Sequence, residues 1–488
     1  MTTFSSLTAK TLPALALLGL GLTGCQADID APGASAGSAN FSRYIAVGNS
    51  LTAGYEDDGL YLDGQVNSYP NMLAQQFAQV GGGTFTQPLF TDAQANGSGY
   101  LRLAGFTAAG APITARVPAN AGRNTPTAAP YTKYTDAINN LGVPGIRLAD
   151  VQTVGYGSLL GNPYFERITP DAAAGQTYFQ RVKAEAATAT FFTMWLGNND
   201  VLGYATSGGS AQNASNTNLA TPPLGTITRT DSFATKATRM VAALTANGAR
   251  GVVSNIPDVT GIPFFTTVGP ALKARLVAAS VPGLVILTGG NPGAATSGNR
   301  KQITTADIRD ASGTGRQLFT LTSSPFVGFI GQVTGRPWKY IYSQTGQPAA
   351  GFGTYLTAFA IDTTQLFGAS VGNPIPSAFV LDDAEQTVVA TATTAFNSSL
   401  QTAATAKGLA YFDANAFFRG LASGTSTYNG VANTTSFITG NLFSLDGVHP
   451  TPRGYALVAN GIIRAINTTY GATIQPVNPS SYRGVLFP

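Results

Sequence analysis

Arg43-Tyr44-Ile45-Ala46-Val47-Gly48-Asn49-Ser50-Leu51-Thr52-Ala53-Gly54 is a short apolar run that ends in a glycine and a polar turn. Such a run reads as a buried strand, and the turn at the carboxyl end of a strand is where an α/β protein holds its ligands. Downstream, Ser68 and Pro70 open a helix with Met72, Leu73, Phe77 and Val80 on one face, the usual residue types for a helix start. The alternation then repeats. A helix over 178–187 precedes the apolar run 190–196. Asp231 caps a helix bearing Phe233, Ala237, Met240, Val241 and Leu244, and Gly248 stops it before a strand over 251–256. Residues 381–407 are helical, Gly408 ends them, and 409–412 follow as a strand. Thr451-Pro452 starts a last helix with Tyr455, Val458, Ala459, Ile462, Ile463 and Ile466 at helical spacing. Helices alternating with short apolar strands indicate an α/β fold with a mainly parallel central sheet.

Composition narrows the function. The 488 residues carry 27 Lys+Arg against 23 Asp+Glu, and charged residues are 10% of the chain, far below the roughly 25% of an ordinary soluble domain. No basic cluster stands out, which argues against a nucleic-acid partner. One Cys and one His supply neither a zinc site nor a disulfide, so no metal and no cofactor is expected. The length allows about three domains, or one core with large insertions. We read a single α/β core over 41–470, with insertions at about 81–135, 203–228 and 262–375, the last as a cap or subdomain, and a C-terminal extension over 471–488. Loops this long are uncommon unless functional.

The N-terminus indicates a location. Residues 1–24 hold one charge, Lys10, and an apolar run from Leu12 to Leu22 that is too short to span a bilayer and reads as a signal peptide. It ends in Leu22-Thr23-Gly24-Cys25, which resembles a bacterial lipobox. The resemblance implies cleavage before Cys25 and diacylation of its thiol. More than one acyl chain anchors stably, so the chain is expected to be lipid-anchored in the cell envelope, outside the cytoplasm. Residues 25–40, rich in Ala, Gly, Ser and Asp, read as a flexible tether.

The one histidine carries most of the chemical information. In Leu445-Asp446-Gly447-Val448-His449-Pro450-Thr451 a carboxylate three residues upstream can accept the Nδ1 proton and leave Nε2 as a base. Ser50 follows the first strand and can serve as nucleophile. Asn199 and Asp200, in Trp195-Leu196-Gly197-Asn198-Asn199-Asp200, follow another strand, and Gly145 lies in the loop Asn140-Leu141-Gly142-Val143-Pro144-Gly145. Asp200 is expected to hold its loop by accepting backbone N–H groups.

On these residues the chain resembles the SGNH hydrolases, also called GDSL esterases and lipases. The family's four marker residues match Ser50, Gly145, Asn199 and His449 in order, with Asp446 paired to His449. The resemblance implies a flavodoxin-like three-layer sandwich. It also implies Ser50 as nucleophile, His449 as base, Asp446 as its orienter, and an oxyanion hole from the N–H groups of Ser50 and Gly145 and the Asn199 amide. The substrate would be an ester: a lipid, an acylated glycan or a small ester. Asn49 stands where the family usually has Asp, and the gap from Ser50 to Gly145 is longer than in compact members.

Two other readings compete. Gly-x-Ser-x-Gly, the nucleophile elbow of α/β-hydrolases, occurs around Ser35 and Ser370. Ser35 lies in the tether. Ser370, Asp413 and His449 stand in the α/β-hydrolase order, but Pro374 and Pro376 oppose the helix that must follow an elbow. A non-catalytic binding lipoprotein on the same fold is the second alternative. A membrane barrel would need serial alternating strands, which the intervening helices exclude.

Overall fold

Five parallel strands form the central sheet of the computed structural model, which describes residues 33–107, 110–123, 131–209, 225–289, 299–424, 426–428 and 430–488. They are β1 (Tyr44–Gly48), β2 (Asn140–Gly142), β3 (Phe191–Trp195), β4 (Arg250–Ser254) and β5 (Ala410–Phe412). Their spatial order is β5-β4-β3-β1-β2. Ala46 of β1 stands opposite Asn140 on one side and Thr193 on the other. The chain therefore runs outward from β1 to β2 and returns across β1 to β3, so the connections leaving β1 and β3 diverge. In open parallel sheets that point of divergence is the crevice where ligands bind.

The strand β2 corrects the sequence reading, which left 140–142 in a loop. Three residues are too few to show a period. Tertiary bonds make the strand: Ala46 N–H donates to Asn139 O at 2.9 Å and Val143 N–H to Gly48 O at 3.0 Å.

Seven helices build the outer layers and the site: α1 (Ser50–Ala53), α2 (Tyr69–Ala78), α3 (Tyr178–Ala186), α4 (Asn199–Thr206), α5 (Thr230–Thr245), α6 (Asp383–Thr405) and α7 (Pro452–Tyr470). Successive side chains of a strand point to opposite faces. Ile45 and Val47 of β1 accordingly join Phe192, Met194 and Val253 in a core closed by α3, α5 and α6. Tyr44 and Ala46 join Phe191, Trp195, Val252 and Phe412 beneath α2 and α7. Two helical layers thus enclose a sheet buried on both faces, which is why its strands read as continuous apolar runs. Tyr44 and Thr193 meet across the second face through a 2.8 Å hydrogen bond between their hydroxyls.

Helix starts follow local chemistry. Thr451 accepts the Gly454 N–H at 3.2 Å, with Pro452 in the first turn of α7. Asp382 and Glu385 form a capping box at α6, which satisfies two otherwise free donors. Asp231 does not cap α5 as expected. The helix begins one residue earlier, and Asp231 pairs with Arg229 in its first turn.

The insertions have structure of their own. Tyr100–Phe106 and Pro112–Val117 pair as antiparallel strands. Val268, Leu272, Ile286, Phe319, Phe367 and Val380 bury a separate hydrophobic cluster. Most of the 203–228 insertion lies outside the described residues. The C-terminal extension packs back onto the sheet layer through Ile474 and Val477, and Arg483 reaches the buried Glu56 at 2.7 Å. Among the described residues no helix is long and apolar enough to cross a membrane. Residues 1–24, expected to be a signal peptide, and Cys25 lie outside the described residues, as does the expected tether up to residue 32.

Candidate active site

Ser50 is placed by the tight turn that ends β1. At Gly48 a Cβ would stand 2.0 Å from Thr52 Oγ1 and 2.8 Å from Trp195 O, so only glycine lets the strand pass so closely into α1. Asn49 caps that helix, its Oδ1 accepting the Leu51 N–H at 3.1 Å. The oxygen that Asn shares with Asp therefore suffices for the turn, while the buried Asn49 Nδ2 has no hydrogen-bond partner among the described residues. Ser50 is the first helical residue, so its N–H has no intrahelical acceptor. The hydroxyl lines a cavity of about 1120 Å³ that also includes Gly145, Asn199, Asp446 and His449.

His449 comes from the opposite end of the chain. Its Nε2 lies 2.9 Å from Ser50 Oγ and its Nδ1 lies 2.8 Å from Asp446 Oδ2. Residues 442–451 hold this geometry by folding on themselves. Ser444 N–H donates to His449 O at 2.8 Å and Thr451 N–H to Leu442 O at 3.0 Å. Gly447, at φ +70°, turns the chain where a Cβ would meet Phe264 N at 2.9 Å.

The Asp446 carboxylate is fully committed. Oδ1 accepts the N–H groups of Val448 and His449, each at 2.8 Å, and the Ser444 hydroxyl at 3.1 Å. Oδ2 accepts Asp58 N–H at 3.0 Å besides the His449 ring. Burial alone would push this carboxyl up; the His449 ring beside it and the donated N–H groups overcome that and hold it at about 2. An ionised Asp446 can only accept, so the ring proton sits on Nδ1 and Nε2 accepts from the Ser50 hydroxyl.

The loop after the third strand contributes Asn199 and Asp200. Asn199 opens α4, and its Nδ2 donates to Ile146 O at 2.9 Å, which leaves a second N–H of the same amide. Asp200, buried, accepts Leu148 N–H at 2.6 Å, Ala149 N–H at 3.0 Å and the Thr228 hydroxyl at 2.6 Å. Burial pushes its carboxyl up to about 6, against the pull of those donors. Asp200 thus staples the loop after β2 to the loop after β3, in keeping with the backbone-holding role expected of it. Gly145 lies in the former loop, in a turn closed by Ile146 N–H on Val143 O at 3.2 Å. With Pro144 second and Gly145 third at φ +80°, this is a type II turn.

The competing serine is not brought to this place. Ser370 sits in a turn, its N–H donating to Leu366 O at 3.0 Å, with neither a strand before it nor an immediate helix after it. Asp413 is occupied elsewhere, capping a helix through Ala416 N–H at 2.9 Å and accepting Asn255 Nδ2 at 2.8 Å. Among the described residues no group of three or more His, Cys, Asp or Glu is arranged to hold a metal ion.

Several contributors escaped the sequence reading. Tyr55 packs its ring 4.7 Å from the His449 ring. Asp57 N–H donates to Ser444 Oγ at 2.9 Å and Asp57 Oδ1 accepts Leu445 N–H at 2.8 Å, so the Asp57-Asp58 turn braces the Asp446 loop on two sides. Asp57-Asp58-Gly59 is legible as a turn, but nothing linear says that it faces residue 446. Compared with known families and curated proteins, the chain matches no family model and no curated sequence.

Proposed function

We propose that this chain is a serine esterase of the SGNH type, working through an acyl-enzyme intermediate and anchored by lipid outside the cytoplasm. The observation that carries the reading is the Ser50–His449–Asp446 relay, 2.9 Å and 2.8 Å across its two bonds, at the carboxyl end of the sheet. Ser50 Oγ attacks the ester carbonyl carbon while its proton passes to His449 Nε2. The tetrahedral intermediate collapses as that proton moves to the leaving alcohol. Water, deprotonated by the same nitrogen, then releases the acid. The Ser50 and Gly145 N–H groups and the second Asn199 N–H meet the oxyanion. The strand order, 2-1-3-4-5 in chain numbering, supports a flavodoxin-like sheet.

The cavity walls favour an uncharged substrate. Arg147 is paired to Asp150 at 2.7 Å, and Asp58 is paired to Arg116. Val154 and Leu160, both lining residues, are 75% and 98% exposed, an apolar rim suited to an acyl chain. Fluorophosphonate labelling of residues 26–488, with the modified serine located by mass spectrometry, tests the reading. Label on Ser50 supports it, and label on Ser370 overturns it.

Two neighbours separate an enzyme from a binding module. Asn199→Ala removes a donor to charge that exists only in the transition state, so kcat falls by about 10²–10³ with KM little changed. Asp200→Asn sets an NH₂ against donors, so it costs about 1–3 kcal/mol of stability and less than about tenfold in kcat. Steady-state kinetics and thermal melts of the pair read this out. The reverse ranking removes the oxyanion assignment.

Cys25→Ser is expected to shift the protein from the membrane fraction to the soluble one without changing turnover of a soluble ester. Fractionation of cells with immunodetection checks it, and membrane retention would place the anchor elsewhere.

A further inference from the structure

We propose that Asn162 is a positioning residue that decides which way the Gly145 N–H faces; this rests on the esterase reading above. The turn Val143-Pro144-Gly145-Ile146 can close its Val143 O to Ile146 N–H bond in two ways. Type I and type II turns share that bond and differ by a flip of the central peptide, here Pro144–Gly145. Proline suits the second position of both, and glycine at the third permits both while favouring type II, so the local sequence leans toward the observed turn without locking the peptide in it. A planar peptide points its C=O and N–H in opposite directions. Whatever holds the Pro144 carbonyl therefore aims the Gly145 N–H.

The Asn162 amide is what holds it. Its Nδ2 donates to Pro144 O at 2.8 Å and lies 3.3 Å from the Tyr156 hydroxyl. Its Oδ1 is fixed independently, accepting the N–H groups of Tyr164 and Phe165 at 2.9 and 3.0 Å as the cap of helix Pro163–Arg167. One side chain, clamped at its oxygen, thereby pins the flipped peptide at its nitrogen. The other ties on this loop lie downstream: Asn199 holds Ile146 O, and Asp200 holds the N–H groups of Leu148 and Ala149. None of them touches the central peptide. Without Asn162 only the Pro-Gly preference holds the peptide, and each excursion of that peptide turns the Gly145 N–H from the oxyanion toward the place the amide occupied.

Asn162→Ser tests this without removing the cap, since serine caps helices as well as asparagine does but is too short to reach Pro144 O. Asn162→Ala removes both functions. With soluble chromogenic esters, both variants are expected to lose about 10- to 100-fold in kcat at nearly constant KM, less than or similar to loss of a whole oxyanion donor. Only Asn162→Ala is expected to lower Tm. Affinity for an alkyl boronic acid, whose tetrahedral adduct puts an oxygen where the oxyanion forms, falls in parallel with kcat. A merely structural role predicts the opposite: Asn162→Ser with wild-type kcat and boronate affinity overturns the proposal while leaving the esterase reading intact. A wild-type protein that turns over no ester overturns both.

Discussion

Ser50→Ala is expected to lower kcat for ester cleavage by about 10⁴–10⁶ and to abolish fluorophosphonate labelling, while Ser370→Ala leaves both close to wild type. The magnitude follows from the way a relay acts as one unit: removing the nucleophile leaves only the rate enhancement from binding and the oxyanion donors. The Ser50 hydroxyl is the partner of His449 Nε2 at 2.9 Å, and alanine keeps the helical start of α1 and its Asn49 cap. The loss should therefore appear in kcat with an unchanged Tm. Retained labelling of the variant would mean that a different serine reacts.

Asp446→Asn is expected to cost about 10³–10⁴ in kcat, the usual result when the residue behind a catalytic histidine can no longer fix its tautomer. The geometry sharpens that expectation. Five donors converge on the carboxylate: the His449 ring, the N–H groups of Asp58, Val448 and His449, and the Ser444 hydroxyl. An asparagine offers one oxygen to them and must turn its NH₂ toward at least one N–H. Either the ring is released or the 444–449 turn is strained, and both lower kcat.

The same carboxylate links stability to acid. Its folded value of about 2 lies below the ordinary aspartate value near 3.9, so its contribution is present above about pH 4 and is lost as pH falls toward 2. Melting curves across that window should show the wild type losing more stability than Asp446→Asn. Parallel curves would mean that the charge does not hold the loop.

How far the sequence carries this protein depends on distance along the chain. The turn Gly48-Asn49-Ser50, the His449–Asp446 spacing and the Thr451-Pro452 helix start are local. Each is decided by residues within a few positions, where cap chemistry, glycine sterics and a side chain three residues away act directly. The helical and strand periods over β1, β3, β4, α2 and α7 are legible for the same reason, because burial on one or both faces leaves a pattern in the side chains themselves. β2 was not legible, since three residues carry no period and its bonds come from β1. Nor was the start of α5, which begins at Thr230 and leaves Asp231 inside the first turn, paired with Arg229. The tertiary structure alone decided that Ser50 and His449, 399 residues apart, meet at 2.9 Å. It alone decided that Asp58 N–H completes Asp446, and that Asn162 holds the peptide of Gly145. These contacts join segments whose separation along the chain is arbitrary; the sheet order brings the ends of β1, β2 and β3 side by side, and the packing of α7 on the sheet carries the 442–451 loop to them.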